Sequence, residues 1–123
     1  MFAAGTETTS LALEWAMAEL IRNPKVMENV QEDVRRVVGC NQKISNRDID
    51  KMVYLKAVIK ETLRLHAPVP LLVPREAMND TKLDGFHIPR GTRVMVNAWA
   101  IGRDPTSWDK PCLLYTSPSP RDS

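Results

Sequence analysis

The sequence has few features that would place it outside ordinary globular chemistry. Its 123 residues contain two cysteines, Cys40 and Cys112, too few for a disulfide framework. They are expected to be reduced thiols in a cytosol-facing protein. Long apolar runs are missing as well. The stretch from Val69 to Pro74 is broken by proline, and nothing approaches the roughly 20 apolar residues of a membrane span. Neither charge sign dominates, with 17 basic against 15 acidic residues. That balance, with no basic stripe, argues against a nucleic-acid partner. Met1 opens no signal peptide, because no basic segment precedes it and Glu7 and Glu14 interrupt the apolar stretch. Asn79-Asp80-Thr81 fits the glycosylation pattern, but without a secretory leader it is taken as chance. There is no internal repeat.

The remaining composition, 43% hydrophobic and 26% charged, suits one globular domain. Residues 1 to 22 hold helix formers without a breaker, and apolar positions fall almost all round the circumference. A helix of that kind is normally buried in a larger protein. It begins without a cap at Met1, which leads to the expectation that the true start lies upstream. Pro24 ends it, and Asn23 is expected to cap a second helix from Pro24 to Val38. Val26, Val30, Val34 and Val37 form that helix's apolar stripe. Glu28, Glu32, Asp33, Arg35 and Arg36 are expected on its solvated face, and Gly39 at its C-terminal stop.

Ser45 and Asp48 read as a capping box, with Ile44 and Ile49 as its staple, so a short helix follows. A longer one is expected from Tyr54 to His66, with Leu55, Val58, Ile59, Thr62 and Leu63 on its packed side and Ala67-Pro68 at its end. Pro70 to Pro74, Thr81 to Leu83 and Arg93 to Val96 then read as short strands. Turn signals at Asp84-Gly85 and Pro89-Arg90-Gly91 separate them. Trp99 to Asp109 reads as loop or single-turn helix. The fold class is therefore mainly α with a small irregular β-sheet. Cys112 to Ser123 is rich in serine and proline, resembles a translated cloning adaptor, and is left out of the fold as a non-native or disordered tail.

Some segments could carry chemistry. In Ala4-Gly5-Thr6-Glu7-Thr8-Thr9, small residues leave room against the helix for a flat or diatomic ligand. Gly5 costs roughly 1 kcal/mol inside a helix. Thr8 can bond back to the Ala4 carbonyl or bond a guest, and Glu7 is a candidate proton source. A packing glycine and a satisfied threonine explain the segment equally well. Glu61 and Arg64 share a helix face, which by itself describes a common surface ion pair. Arg75 follows an extended proline-rich path from Pro68 and could hold a carboxylate; a surface arginine on an edge strand is the plainer alternative. Asn97 to Pro105, with Trp108 beyond, reads as an ordered loop with aromatic anchors.

Taken in order, these segments resemble the cytochrome P-450 family, the haem-thiolate monooxygenases. The family's (A/G)Gx(D/E)T(T/S) helix motif is matched by Ala4-Gly5-Thr6-Glu7-Thr8-Thr9. Its ExxR is matched by Glu61 and Arg64, its arginine-ended proline-rich strand by Arg75, and its RDPxxW by Arg103, Asp104, Pro105 and Trp108. The wording from Lys60 to Glu76 looks most like plant microsomal members, and the resemblance covers residues 1 to 111. It implies a partial cytochrome P-450 fold, from the end of the central helix to the β region. It implies that Ala4 and Gly5 face the haem, Thr8 bonds oxygen species and Glu7 assists proton delivery. Ala3, Val69 and Leu72 would line the substrate pocket, Arg75 would pair with a haem propionate, and Glu61 with Arg64 would form a structural pair. It further implies a small apolar substrate, O2, and electrons from NADPH through a separate reductase. The whole protein would then sit on the cytosolic face of the endoplasmic reticulum, in plant secondary metabolism, with its anchor outside this chain.

The sequence also departs from the family pattern. The FxxGxRxCxG loop that carries the iron's cysteine is absent, and neither Cys112 nor Cys40 has a glycine framework to expose a thiolate. No metal ligand is therefore assigned, and the chain by itself is expected to be inactive. A non-catalytic truncated product, or a helical module binding partners through its first helix, remains the alternative.

Overall fold

The computed structural model describes residues 2–39, 43–109 and 114, with side chains from residue 5 onward. The expected tail from Cys112 therefore lies, apart from Leu114, outside the described residues. Helix α1 spans Phe2–Arg22 and α2 spans Pro24–Val38, both at the expected bounds. The junction differs in detail. Asn23 makes no side-chain cap on α2. Its Nδ2 instead donates to the Glu19 carbonyl at 2.8 Å, closing the open end of α1. Gly39 takes φ 56° and donates its N–H to the Arg35 carbonyl, the left-handed stop that glycine adopts without a Cβ penalty.

The Ser45–Asp48 capping box forms as expected and starts α3 at Asn46–Lys51. Helix α4, Val53–Leu65, follows. Its packed side is Val58, Thr62 and Leu65, all under 4% exposed. Ile59 and Leu63, expected there, stand 45% and 41% exposed. A helical turn of 3.6 residues carries a stripe drawn through 58, 62 and 65 away from 59 and 63.

Leu20 of α1, Val30 of α2 and Val58 of α4 meet in the core, flanked by Val26, Met27, Val34, Tyr54 and Leu55. Each buried side chain of this size contributes about 1.5–3 kcal/mol. Much of α1 remains apolar and uncovered, including Leu13, Trp15, Met17 and Ile21. Asp33, expected on the solvated face of α2, is buried at 7% exposure.

The β region differs from its expected outline at both ends. Pro70 to Pro74 is not a strand. Pro70 and Leu71 turn, the Leu72 N–H closes on the Val69 carbonyl, and Leu72 takes φ 52°. The Pro70 carbonyl accepts from Trp99 N–H, so this segment ties to the later loop. Pro70 and Pro74 have no N–H to give a ladder, and the Leu72 N–H is taken up by the turn. The outer ladder pairs β1, Arg75–Glu76, with β4, Arg93–Val94, antiparallel; β4 stops before the expected Val96. Nested inside it, β2, Thr81–Leu83, pairs with β3, Phe86–Ile88, a strand not anticipated. Asp84 and Gly85 join them with φ 50° and 83°. A four-residue helix, α5, covers Ala98–Ile101, capped by Asn97 Oδ1, which accepts from Ala100 N–H.

Candidate functional site

The best-built polar site lies where α4 meets the loop after α5. Glu61 and Arg64, three apart, project from one face of α4. Arg64 Nε donates to Glu61 Oε2 at 2.8 Å and Nη2 donates to Oε1 at 2.6 Å. This is the two-pronged geometry that a planar guanidinium makes with a carboxylate. The side chains are only 6% and 12% exposed, so this is a buried pair and the surface-pair reading is set aside.

Burial on that scale needs further partners to offset desolvation. Arg64 Nη1 also donates to the Gly102 carbonyl, and its guanidinium carbon sits 4.6 Å from the Trp108 ring centroid. Trp108 is itself held by its indole N–H on the Ile101 carbonyl at 3.1 Å. Gly102 allows this approach, because a Cβ there would stand 2.5 Å from the Arg64 carbonyl oxygen. The next residue, Arg103, stacks over Trp99 at 4.5 Å and keeps one buried nitrogen, Nη1, without a hydrogen-bond partner. The sequence marked Trp108 as an anchor only. Nothing in the spacing tied Gly102 to Arg64, thirty-eight positions back.

A half-open cleft of about 520 Å³ runs past this pair, lined among others by Glu61, Arg64, Leu72, Val96 and Trp108. Leu72 thus joins the pair in one cleft. Val69, 40% exposed, and the exposed Arg75 on β1 are not among its lining residues. Gly5, Glu7 and Thr8, on α1, are not among its lining residues either. Glu7 is exposed and Thr8 half-buried. Nothing lies within 4 Å of a Cβ built at Gly5, so the helix surface there is open. Thr9, next to Thr8, donates to the Gly5 carbonyl at 2.9 Å. Ala3 and Ala4 belong to α1, but their side chains lie outside the described residues. Cys40 and Cys112 also lie outside them. Among the described residues, no three of His, Cys, Asp and Glu gather as a metal site, and no helix is long and apolar enough to cross a membrane.

A long helix with an open glycine notch, another helix with a buried Glu–Arg fork, and nested two-stranded ladders make this, among the described residues, a mainly helical chain with two small antiparallel sheets. The family model described as Cytochrome P450 matches residues 1–112, and the chain belongs to the cytochrome P450 family. It is 60% identical over 111 residues to cytochrome P450 71A8 of Mentha piperita, covering 90% of this chain and 22% of that protein. It is 57% identical over 108 residues to the desmethyl-deoxy-podophyllotoxin synthase of Sinopodophyllum hexandrum, covering 88% and 21%. The chain thus spans about a fifth of the length of these plant relatives. A zebra fish cytochrome P450 solved with abiraterone superposes with a TM-score of 0.88 at 41% identity, over 94% of this chain and 28% of that one.

Proposed function

We propose that the chain is part of a haem-dependent monooxygenase that inserts one oxygen atom from O2 into a small apolar organic substrate. Electrons would come from NADPH through a separate reductase, at the cytosolic face of the endoplasmic reticulum membrane, as part of plant secondary metabolism. The observation that carries this reading is the buried fork of Glu61 and Arg64, seated on Gly102 and Trp108, in a chain of this family.

The residues present fit a flat, anionic macrocycle. Gly5 leaves the surface of α1 bare, so a planar group can approach the backbone there. Arg75 offers an exposed guanidinium, a suitable partner for a propionate carboxylate. Bound haem would supply the oxygen activation and atom transfer, with a cysteine thiolate as its iron ligand. The described residues offer no such ligand.

The chain's own residues position and protonate. Ala4 and Gly5 are the small residues that would leave room for the macrocycle beside α1. Thr8 Oγ1 would donate a hydrogen bond toward the oxygen site, and the exposed Glu7 beside it would resupply the proton from solvent. Ala3, Val69 and Leu72 are the apolar residues that would line the substrate pocket. Glu61 and Arg64 hold α4 against the α5 loop as a structural pair and touch no reacting atom.

The test uses the full-length parent, loaded with haem and supplied with an NADPH-dependent reductase, 18O2 and a panel of apolar substrates. The expected result is a thiolate-type carbon monoxide difference spectrum and a single 18O atom in the product. A haem-loaded parent lacking that spectrum would overturn the proposal.

A further inference from the structure

A second polar cluster lies away from the cleft, between α1 and the end of α4. Glu19 is 8% exposed, and its Oε1 lies 2.9 Å from His66 Nε2. A carboxylate only accepts, so the imidazole carries its proton on Nε2 and donates. Glu19 Oε2 accepts more loosely from Asn23 Nδ2 at 3.4 Å. Arg22 Nη1 stands 3.7 Å from Oε1, but that side chain is 73% exposed, and water weakens its hold. The His66 ring lies flat on Trp15, with centroids 4.0 Å apart and planes 3° from parallel. Trp15 and Glu19 are one helical turn apart on α1, so together they hold one imidazole by its face and by its edge.

His66 occupies a junction. It is the C-cap of α4, with its N–H on the Thr62 carbonyl at 2.7 Å. Beyond it the chain enters the turn at Pro70 and Leu71. Leu20 of α1 also packs in one cluster with Val58 of α4, and an aliphatic contact by itself, being non-directional, tolerates rotation. A bond from a nearly buried carboxylate does not, because a slipped register would leave that carboxylate unpaired.

Helix α1 carries Gly5, Glu7 and Thr8; α4 carries Glu61 and Arg64. We infer that His66, held by Trp15 and Glu19, is a positioning residue that fixes the rotation and register of α1 against α4. It thereby sets where Thr8 stands relative to the Glu61–Arg64 wall. This inference rests on the monooxygenase reading above, and it assigns His66 no contact with substrate or haem.

The test uses the haem-loaded full-length enzyme with its reductase. His66→Phe keeps the flat ring on Trp15 and removes the donor. Glu19→Gln keeps an oxygen acceptor for Nε2. The readouts are product formed per O2 consumed, the substrate-induced change in haem spin state, and the melting temperature. His66→Phe should lower product per O2 roughly threefold or more, since small misplacements of remote elements cost rate steeply. Glu19→Gln should stay within about twofold of wild type, because the edge bond survives. An unchanged ratio in His66→Phe, or an equal loss in Glu19→Gln, would overturn the inference. Should His66→Phe fail to fold, Glu19→Gln against Glu19→Leu gives the same contrast. The ratio kept in the first and lost in the second supports the role, and equal ratios overturn it. Failure of the monooxygenase reading would appear separately, as a missing carbon monoxide signal in wild type.

Discussion

Asp33, in the middle of α2, caps the start of α4: its Oδ2 accepts the backbone N–H of Tyr54 at 2.9 Å. The same oxygen accepts from Leu55 N–H at 3.2 Å, and Arg36 Nη2 holds the other at 2.5 Å. Met52, at the N-cap of α4, offers no capping side chain. A carboxylate from the neighbouring helix satisfies donors that the first turn leaves open and complements its dipole.

Asp33→Ala should therefore destabilise the fold by about 1.5–3 kcal/mol, the range for hydrogen bonds to a charged group, with α4 fraying first. Denaturant unfolding measures the loss, and amide exchange at Tyr54 and Leu55 locates it. A variant as stable as wild type would show that water serves the helix end equally well.

The pH dependence has a definite sign. Burial pushes the Asp33 carboxyl up. The hydrogen bond from Arg36, the Leu55 and Tyr54 N–H groups and the Arg36 charge outweigh it and hold the group below its usual 3.8. A group whose value is lowered by folding stabilises the fold above its unfolded value. That contribution is lost as pH falls through the lower folded value. Wild type should lose stability below about pH 3.8, relative to Asp33→Ala, over that interval. Parallel acid-unfolding curves for the two proteins would contradict this.

Arg64→Lys should cost about 1.5–3 kcal/mol, the range for hydrogen bonds to charged groups, because the pair's charges remain while its fork is lost. Lysine cannot fork onto both Glu61 oxygens while reaching the Gly102 carbonyl and lying on Trp108. The measurement is thermal unfolding of the full-length protein together with its retained haem. Trp108→Leu should cost about 0.5–2 kcal/mol for the aromatic face under Arg64, with the lost indole bond to the Ile101 carbonyl adding about 0.5–1.5 kcal/mol.

The sequence made the helices legible because their signals are local. Pro24 and Gly39 bound α2, and Ser45 with Asp48 starts α3, all within a turn of the bonds they make. Asp33 was misplaced because its partners lie 21 and 22 residues away, and spacing on α2 alone puts it among solvated charges. The candidate site divides in the same way. ExxR placed Glu61 and Arg64 on one face, but their burial is decided by Gly102 and Trp108, which no local pattern connects to α4. The proline-rich segment read as extended because prolines restrict φ and α-helix alike; instead the Leu72 N–H closes a turn on Val69, and the Pro70 carbonyl accepts from Trp99, a residue that no local pattern connects to it.

Thr8→Ala in the full-length parent should uncouple oxygen consumption from product formation, with most consumed O2 no longer appearing in product. Oxygen-electrode readings alongside product quantification check it. Unchanged coupling would remove Thr8 from its proposed role.

The 123-residue chain, expressed with haem, should give no thiolate-type carbon monoxide difference spectrum. Its sequence carries no glycine-framed cysteine loop. A normal thiolate spectrum would show that Cys40 or Cys112 can serve the iron.

Gly85→Val should destabilise the β2–β3 hairpin by about 1–2 kcal/mol, because a branched side chain resists a left-handed backbone. Gly85 has φ 83°. Cross-strand NMR contacts between Leu83 and Phe86 would report the loss, and an unperturbed hairpin would contradict it.

That two-residue turn also bears on how the protein is made. Leu83 and Phe86 face each other across it, so the pairing is dictated by residues that leave the ribosome almost together. Hairpins close in about 1–10 μs, far faster than translation adds the next residue. The β2–β3 ribbon can therefore emerge already in register, a preassembled template on which the more distant pairing of Arg75 with Val94 can then close.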